Sequence, residues 1–324
     1  MQTSLAKILV LIDYSYFQYY TIFSAFNKWS KSSKLEAESM VKPAEETDQS
    51  NLPDLLVSDT FKRELKRAFI KRCEVVDYIL RRNFENDIDI VDDIDIIAVQ
   101  DDSLSNSFRK EIFPEYKAQR KLMKKAYDVN AIKNYIQDVL LPDLAKSGKF
   151  SYKLIKVPGA EGDDVIATIL KKCSDDYYLK ILIASDHDFL QLKDIKQFDL
   201  TGREVKAVLK TKKEEIELDS KMVLLTKIIQ GDLADNIPAI TEKIGKVKAY
   251  KLAKNPEQLR TLLKENQDAA KQFALNKKII DFNEIPECLT NLIVEQSEKV
   301  LSECKKEYSE EDARNVFESN LMEL

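Results

Sequence analysis

Short apolar runs recur along the chain, and most of them end at acidic residues. The runs are KILVLID at the start, IDIIAVQD near residue 98, YKLIKVP near 155, YLKILIASD near 183 and a weaker KQFDL near 198. Apolar runs of this length with polar boundaries are typical of buried strands. The pattern therefore predicts a strand at each run.

Helical periodicity fills the intervals between several of these runs. Apolar residues recur at spacings of three and four at Phe61, Leu65, Phe69, Cys73, Val76 and Leu80. Strands that alternate with helices predict an α/β fold whose central sheet is mainly parallel and is flanked by helices. In such folds, ligands bind beyond the carboxyl ends of the strands.

Two segments interrupt this alternation. Residues 30–54 are polar, contain two prolines and lack sustained periodicity, so we expect a loop there. Residues 103–148 form a second insertion, rich in Lys and Arg, and helical patterns dominate after residue 215. We therefore predict an α/β core over residues 1–215 and a helical region over residues 216–324.

Acidic residues gather where the predicted strands end. In chain order they are Asp13, then Asp101 and Asp102, then Glu161, Asp163 and Asp164, then Asp186 and Asp188. One acidic residue at a strand end or in a first helical turn is common in turns and caps. Four such sites at the carboxyl ends of parallel strands are expected to meet at one edge of the sheet. The acidic run at residues 86–95 precedes its strand, and we expect a solvated loop there.

Clustered carboxylates repel one another and are tolerated where cations hold them. Oxygen ligands without Cys or His partners favour hard ions such as Mg²⁺ or Mn²⁺. The number of carboxylates suggests a pair of ions about 3.5–4 Å apart, an arrangement that serves phosphodiester hydrolysis. We expect His187, the only histidine, to be a spectator.

Composition narrows the function classes. The 324-residue chain has 51 Lys and Arg against 56 Asp and Glu, a net charge of −5, so any nucleic-acid surface must be local. The four cysteines are far apart, which argues against disulfide frameworks and zinc sites. The run ILVLI is too short for a membrane span and lacks a signal-peptide cleavage pattern, so we expect a cytoplasmic protein.

Six segments resemble, in order, the motifs of the 5′-nuclease (flap endonuclease) superfamily. They are LVLIDYS, VQDD, FRKEIFPEYKAQR, VPGAEGDDVIA, ILIASDHDFLQL and IIQGDLADNIPAI. The later stretch KKIIDFNEIPECLTNLIV resembles the T-even bacteriophage ribonuclease H branch. The resemblance implies a Mg²⁺-dependent 5′-to-3′ exonuclease or flap endonuclease that removes RNA primers or DNA flaps in replication. Its partners would be branched or nicked duplex DNA and RNA–DNA hybrids with a 5′ end or flap.

The resemblance also implies roles for individual residues. The ligands of one Mg²⁺ would be Asp13, Asp101, Glu161 and Asp163, and those of a second Asp186, Asp188 and Asp235, with Asp164 and Asp232 in support; Mn²⁺ could replace either ion. Residues 103–148 would form a helical arch over the active site. In this arch Lys117 and Arg120 would steer the scissile phosphate, and Tyr116 would stack on a base.

The remaining basic residues of the predicted arch are interleaved with aromatic residues. Phosphates need positive charge and unpaired bases stack on aromatic rings, so the residues expected to bind nucleic acid are Arg109, Lys110, Lys121, Lys124 and Lys125. A solvated helical face is the alternative that these residues leave open.

The segment GDLADNIPAITEKIGKVKAYKLA resembles the helix-three-turn-helix motif that grips duplex DNA through its backbone. We expect phosphate contacts from Asn236, Gly245, Lys246 and Lys248. This chain has Ala239 where the family usually has glycine, and TEKIG is one residue longer than expected. Both departures weaken the case for a bound K⁺ ion in this loop.

Two other functions stay open. A PIN-type ribonuclease shares the acidic sheet edge, but it is shorter and lacks the arch and the GDLADNIP region. A non-catalytic branched-DNA-binding protein would also fit, although every ligand position is filled. The C-terminal EEDARNVFESNLMEL has an amphipathic helical pattern; we expect it to cap the domain of a monomer rather than dock on a clamp or a single-strand-binding protein.

Overall fold

The computed structural model describes residues 6–84, 91–102, 107–146, 152–211 and 214–307. Its central sheet has five strands in the order β3-β2-β1-β4-β5, and all neighbours pair in parallel. The strands are β1 (Ala6–Asp13), β2 (Val91–Gln100), β3 (Lys153–Lys156), β4 (Leu179–Ile183) and β5 (Lys196–Phe198). The predicted α/β fold with a parallel sheet is confirmed.

Helices surround this sheet and form the end of the described chain. They are α1 (Tyr14–Ser32), α2 (Lys34–Met40), α3 (Asp59–Phe84), α4 (Phe108–Ile112), α5 (Val129–Tyr135), α6 (Leu141–Lys146), α7 (Gly162–Lys172), α8 (Ser220–Gln230), α9 (Lys246–Lys254), α10 (Pro256–Glu265), α11 (Gln267–Ile280) and α12 (Glu287–Glu307). None of the described helices is long and apolar enough to cross a bilayer.

Strand β1 lies at the centre because both of its faces are apolar. Ile8, Val10 and Ile12 belong to the hydrophobic cluster that contains α1 and α3. Leu9 and Leu11 belong to the cluster that contains α7 and α12. Successive side chains of a strand point to opposite faces, so one apolar run supplies both layers of the core.

The register of the sheet aligns the strand ends. Asp13, the last residue of β1, pairs with Val99 of β2, and Ile12 pairs with Ile183 of β4. The acidic residues that follow these strands therefore start from the same edge.

Helices α1 and α3 run antiparallel across one face. The ring of Phe17 packs edge-on against Phe69, and the ring of Trp29 packs edge-on against Phe61, with ring centroids 5.4 Å apart in both pairs. The apolar periodicity from Phe61 to Leu80 predicted α3 correctly.

Residues 30–54 are only partly the loop that their composition predicts. Helix α1 continues to Ser32, and α2 follows it directly. The indole N–H of Trp29 donates hydrogen bonds to the Glu36 carboxylate (3.2 Å) and to the Thr60 hydroxyl (2.9 Å). These bonds hold α2 against the start of α3 and explain why the segment is helical. The loop prediction is wrong up to Met40.

The predicted arch is also shorter than residues 103–148. Ile132, Ile136, Leu140 and Leu144 are buried in the cluster that contains α1 and α3. Their segment, α5, a π-helical turn (Ile136–Leu140) and α6, is therefore part of the body of the protein. The arch prediction is wrong for residues 129–146, because their apolar side chains gain more from packing on the core than from projecting over the site.

The acidic run before β2 is not wholly a solvated loop. Strand β2 begins at Val91, and Asp95 within it is only 1% exposed. The hydroxyl of Tyr177 donates a hydrogen bond to Asp95, and this contact makes burial of the carboxylate tolerable. That prediction is wrong from Val91 onwards, and residues 85–90 lie outside the described part of the chain.

Beyond the sheet the chain becomes helical, as predicted, after a short hairpin of β6 (Val208–Lys210) and β7 (Glu215–Glu217). Helices α8 to α11 form two small hydrophobic clusters. Helix α12 packs in the same hydrophobic cluster as the sheet and α7. The domain boundary at residue 215 stays a prediction, and the C-terminal segment EEDARNVFESNLMEL lies outside the described residues.

Candidate active site

The carboxyl edge of the sheet joins acidic residues from several strand ends into one electrostatic group. Burial, helped by the charges of Asp101 and Asp186, raises the pKa of Asp13 to about 7. Burial and then the charge of Asp186 raise the pKa of Asp163 well above its ordinary value. These carboxylates are close enough to repel one another, so the expected meeting at one edge is present for these four residues.

Hydrogen bonds orient Asp101 within this group. The hydroxyl of Ser15, in the first turn of α1, donates to Oδ2 (2.5 Å), and the N–H of Gly162, the first residue of α7, donates to Oδ1 (2.6 Å). A Cβ at Gly162 would lie 3.0 Å from Oδ1, so the glycine allows this close approach. The carboxylate of Asp101 is thereby fixed between the N-termini of two helices.

Glu161 lies in a different environment, surrounded by donors. It is 3% exposed, and its Oε2 accepts hydrogen bonds from Lys117 Nζ and from the Tyr116 hydroxyl (3.2 Å). Burial alone would raise the pKa of Glu161, but the charges of Lys117 and Arg109 hold it at about 2. Glu161 therefore stays ionised next to a buried lysine.

Arg109 and Asp164 form a buried ion pair with two parallel hydrogen bonds, Nη1 to Oδ2 (2.8 Å) and Nη2 to Oδ1 (2.7 Å). Arg109 Nε also donates to the carbonyl of Ile279 in α11 (2.8 Å). The prediction for Arg109 is wrong, because Arg109 is 4% exposed and faces the core instead of nucleic acid. The oxygens of Asp164 are directed at Arg109, and Oδ2 also accepts the N–H of Glu161 (3.3 Å), so its supporting role stays a prediction.

Tyr116 is likewise buried, with 4% of its surface exposed. Its hydroxyl contacts the carboxylates of Glu161 and, at 3.5 Å, Asp235. The prediction that its ring stacks on a base is wrong in this structure, because protein atoms cover the ring.

The loop after α8 docks on the segment around Lys117. The N–H of Lys117 donates to the carbonyl of Asp235 (3.0 Å), and the Asn236 amide donates to the carbonyl of Glu115 (2.9 Å). Arg120 Nη2 donates to Asp235 Oδ1 (2.8 Å). Lys117 and Asn236 have left-handed backbones with φ of 54° and 63°, and these turns bring the two segments together.

Lys227 is a functional candidate that the sequence analysis missed. From the last turn of α8, its ammonium forms ion pairs with Asp188 and, at 2.8 Å, with Asp232. Burial would raise the pKa of Asp232, but the charge of Lys227 lowers it. The available signal was that Lys227 is the only cation in the apolar stretch MVLLTKIIQ.

The other predicted nucleic-acid contacts lie outside this group. Lys124 and Lys125 are exposed and lie against the loop at residues 41–54, where the Gln49 side chain bonds both the N–H (2.8 Å) and the carbonyl (2.9 Å) of Lys125. Lys110 is half-buried, and the side chain of Lys121 lies outside the description. Exposed positions at the start of α9 are Gly245, Lys246 and Lys248.

The chemistry of the donor set fits hard divalent cations. All the candidate donors are carboxylate oxygens, which Mg²⁺ and Mn²⁺ prefer. Burial is the main cause of the raised pKa values of Asp13 and Asp163, and a cation would relieve the repulsion that adds to it. Among the described residues, no three acidic, histidine or cysteine side chains converge closely enough to hold an ion as they stand. Two of the candidates, Asp188 and Asp232, are turned onto Lys227 instead.

Residues 82–223 match the family model described as "5'-3' exonuclease, N-terminal resolvase-like domain". The chain is 27% identical over 209 residues to a 5′-3′ exonuclease of Mycoplasmopsis pulmonis, covering 59% of this chain and 66% of that protein. It is 28% identical over 158 residues to ribonuclease H of Enterobacteria phage T4, covering 43% of this chain and 50% of that protein. The chain is therefore similar to a 5′-3′ exonuclease domain over residues 82–223, and it is similar to these two enzymes over 59% and 43% of its length.

A solved structure has a similar fold. The bacteriophage T5 D15 flap endonuclease, in a complex with DNA and metal ions, matches with a TM-score of 0.55 and 15% identity, covering 92% of this chain and all of the other. This likeness of fold includes the sheet and the helices beyond it. The chain spans between 22% and 66% of the length of three curated relatives that it matches.

Proposed function

We propose that the protein is a divalent-metal-dependent 5′-to-3′ exonuclease or flap endonuclease. The observation that carries the proposal is the group of mutually repelling carboxylates, Asp13, Asp101, Asp163 and Asp186, at the carboxyl edge of the sheet. The 5′-3′ exonuclease and ribonuclease H among its relatives support the same reaction class. Its substrates would be branched or nicked duplex DNA and RNA–DNA hybrids with a 5′ end or flap.

Mg²⁺ is the proposed cofactor, with Mn²⁺ as a substitute. Residues that would hold one ion are Asp13, Asp101, Glu161 and Asp163, and residues that would hold the second are Asp186, Asp188 and Asp235, with Asp232 beside them. When bound, such ions would activate a water molecule and neutralise the charge of the scissile phosphate.

Lys117 and Arg120 would position that phosphate. Lys117 is paired with Glu161, and Arg120 is paired with Asp235, so both cations lie among the candidate ligands. A phosphate oxygen at the site would accept their N–H groups, in place of these carboxylates, once an ion neutralises the latter. Attack by water on phosphorus would then break the bond to the 3′ oxygen and leave a 5′-phosphate on the shortened strand.

The region from α8 to α9 would hold the duplex. The two helices pack together through Ile229 and Leu252, and the exposed Gly245, Lys246 and Lys248 at the start of α9 would contact backbone phosphates. We propose that the protein acts as a monomer in the cytoplasm.

The proposal is tested by release of label from a 5′-labelled flap and from an RNA-primed duplex, in Mg²⁺, in Mn²⁺ and in EDTA. We expect cleavage that needs the divalent ion and that falls roughly a hundredfold or more in Asp186→Asn, as for loss of a group that stabilises transition-state charge. Asp176→Asn, an exposed aspartate just before β4, is the matched control and should cleave normally.

Product length in the same assay separates exonuclease from flap endonuclease cleavage. Binding without cleavage by the wild type in both ions would reject the nuclease and leave a branched-DNA-binding protein. Cleavage confined to single-stranded RNA would instead favour a PIN-type ribonuclease.

A further inference from the structure

We propose that a groove between α3 and α5 binds the single-stranded 5′ arm of the substrate. The groove has a volume of about 460 Å³ and is lined by Asp59, Lys62, Arg63, Lys66, Arg67, Ile70, Tyr135 and Leu140. We call it the α3–α5 groove. The identity of the ligand rests on the proposed function, whereas the groove and its charge do not.

The direction of α3 places this groove on the same side of the sheet as the carboxylates. Arg72 lies level with the carboxyl edge, because its guanidinium donates to the carbonyl of Leu200 (2.8 Å) just beyond β5. From there α3 continues to Phe84, shortly before β2 begins at the opposite edge. Residues before Arg72 therefore extend beyond the carboxyl edge, and at 1.5 Å per residue Lys66 and Lys62 lie about 9 and 15 Å further along the helix axis.

The protein neutralises only part of the positive charge of the groove. Arg67 pairs with Glu64 at 2.7 Å, and Asp59 feels the charge of Arg63 as well as that of Lys62. Arg63 and Lys66 are exposed, and neither forms an ion pair with any residue in the described ranges. Lys62, by contrast, pairs with Asp59 at 2.7 Å. In a protein with a net charge of −5, two exposed cations without an ion pair on adjacent turns of one helix make a local surface for anions.

The floor of the groove indicates which anion fits. Ile70, Tyr135 and Leu140 provide an apolar and aromatic surface next to the cations. A single strand can use both parts, since its phosphates meet the cations while an unpaired base lies on the ring or the apolar floor. A duplex keeps its bases stacked inside and would present only phosphates, so it would leave the floor uncovered.

The distance from the edge sets the length of arm that can reach the groove. At the 3.4 Å spacing of a stacked strand, 9 to 15 Å corresponds to about three to four nucleotides. A strand with its 5′ end at the carboxylates would not touch the groove, whereas a longer 5′ arm would. The groove would therefore favour substrates with arms over blunt 5′ ends.

The test compares two variants with the same loss of charge. Arg63→Gln/Lys66→Gln alters the α3–α5 groove, and Arg82→Gln/Lys299→Gln removes one exposed Arg and one exposed Lys from other surfaces. The probes are a nicked duplex with a ten-nucleotide 5′ oligothymidylate arm and the same duplex without an arm. Affinities are measured by fluorescence anisotropy in EDTA at several salt concentrations, so that no cleavage is required.

We expect the groove variant to bind the armed duplex roughly tenfold more weakly. The slope of log K against log salt should fall by about 1.4 for two lost single-strand phosphate contacts. Its affinity for the unarmed duplex, and both affinities of the control variant, should match the wild type. Equal weakening for both probes would place duplex in the groove, and unchanged or control-like binding would make it a solvated surface; each of these results overturns the proposal.

Failure of the groove and failure of the proposed function give different results. If the wild type does not cleave in Mg²⁺ but the arm-dependent loss appears, the nuclease proposal fails and the groove stands as a single-strand site. If the wild type cleaves and the groove variant binds normally, only the groove proposal is rejected.

Discussion

Arg109 carries its charge in the core, where both oxygens of Asp164 neutralise it. Breaking a buried pair from one side leaves the other charge uncompensated and typically costs about 3–5 kcal/mol. We therefore expect Arg109→Met to lower the free energy of unfolding by about that amount in urea denaturation. Arg81→Met, which breaks an exposed pair with Asp77, should cost about 0.5 kcal/mol or less. Equal costs for the two variants would contradict a structural role for Arg109.

Lys227 joins carboxylates from two segments, Asp188 after β4 and Asp232 after α8. Without divalent ions, Lys227→Met should lower the melting temperature, because two aspartates would then repel each other. Saturating Mg²⁺ should remove most of this difference, since an ion would replace the ammonium between them.

The matched control for Lys227 is Lys277→Met, which breaks contacts to Asp281 and Glu284 away from the carboxyl edge. This substitution should change the melting temperature by the same amount with and without Mg²⁺. If Mg²⁺ fails to rescue Lys227→Met selectively, the ammonium does not lie at an ion site.

Asp13 makes the stability of the metal-free protein depend on pH. Burial and the neighbouring Asp101 and Asp186 raise its pKa from the ordinary 3.8 to about 7, so the folded state holds a proton that the unfolded state has lost. This contribution to stability is complete below pH 3.8 and disappears as the pH rises to about 7. The pKa of Glu161 is lowered from the ordinary 4.5 to about 2, so Glu161 changes the stability only below about pH 4.5.

We expect the free energy of unfolding in EDTA to fall between pH 5 and pH 7 for the wild type and to fall less for Asp13→Asn. Asparagine is a good N-cap, so it preserves the bond that Asp13 accepts from the N–H of Tyr16. Urea denaturation at both pH values measures the slope. Identical slopes in the two proteins would show that the Asp13 carboxylate is not the titrating group.

At the level of elements, the turn after α8 depends on one glycine. Gly231 has φ of 73° and ψ of −169°, a region essentially confined to glycine. A Cβ there would lie 2.4 Å from the carbonyl oxygen of Ile237. Gly231→Ala should therefore destabilise the protein by about 2 kcal/mol or more.

Gly245→Ala is the matched change in the same region. Gly245 has φ of −97°, and a Cβ there would meet no atom within 4 Å, so its unfolding free energy should change by less than about 1 kcal/mol. Urea denaturation of both variants measures the two free energies of unfolding. Similar losses would mean that the loop between α8 and α9 has a different backbone.

The elements that the sequence predicted well are those whose signal is local. The run around Leu9 to Ile12 fixes β1, because an apolar stretch of strand length can be buried on both faces. The arch prediction is wrong for the segment around Ile132. The Lys and Arg content of the insertion suggests an exposed arch, but the apolar residues of this segment pack on a helix that is far away along the chain. Helix α2 could likewise not be predicted from Trp29, because the contacts of its indole with Glu36 and Thr60 form only in the folded protein.

The candidate site shows the same division. That Asp13, Asp101 and Asp186 meet could be inferred, because parallel strands end at one edge. The sequence could not show which of the acidic residues pair with a cation of the protein. The partners of Asp164 and Asp188 are Arg109 and Lys227, which are far away along the chain.

At the scale of the whole molecule, we propose two surfaces for two parts of the substrate. The loop after α8 and the start of α9 would hold a duplex through backbone groups and lysines. The α3–α5 groove would hold a single strand on its cations and its aromatic floor. The carboxylates lie at the sheet edge with Lys117 among them, which is where a junction between the two strands would be cut.

The most direct test of this account counts divalent ions bound to the protein without any substrate. Titration with Mn²⁺, followed by electron paramagnetic resonance of the free ion, should show two bound ions in the wild type. Asp163→Asn should lose at least one of them, and Asp176→Asn should keep both. Absence of bound Mn²⁺ in the wild type, or unchanged binding in Asp163→Asn, would contradict the assignment of the acidic sheet edge as a metal-dependent nuclease site.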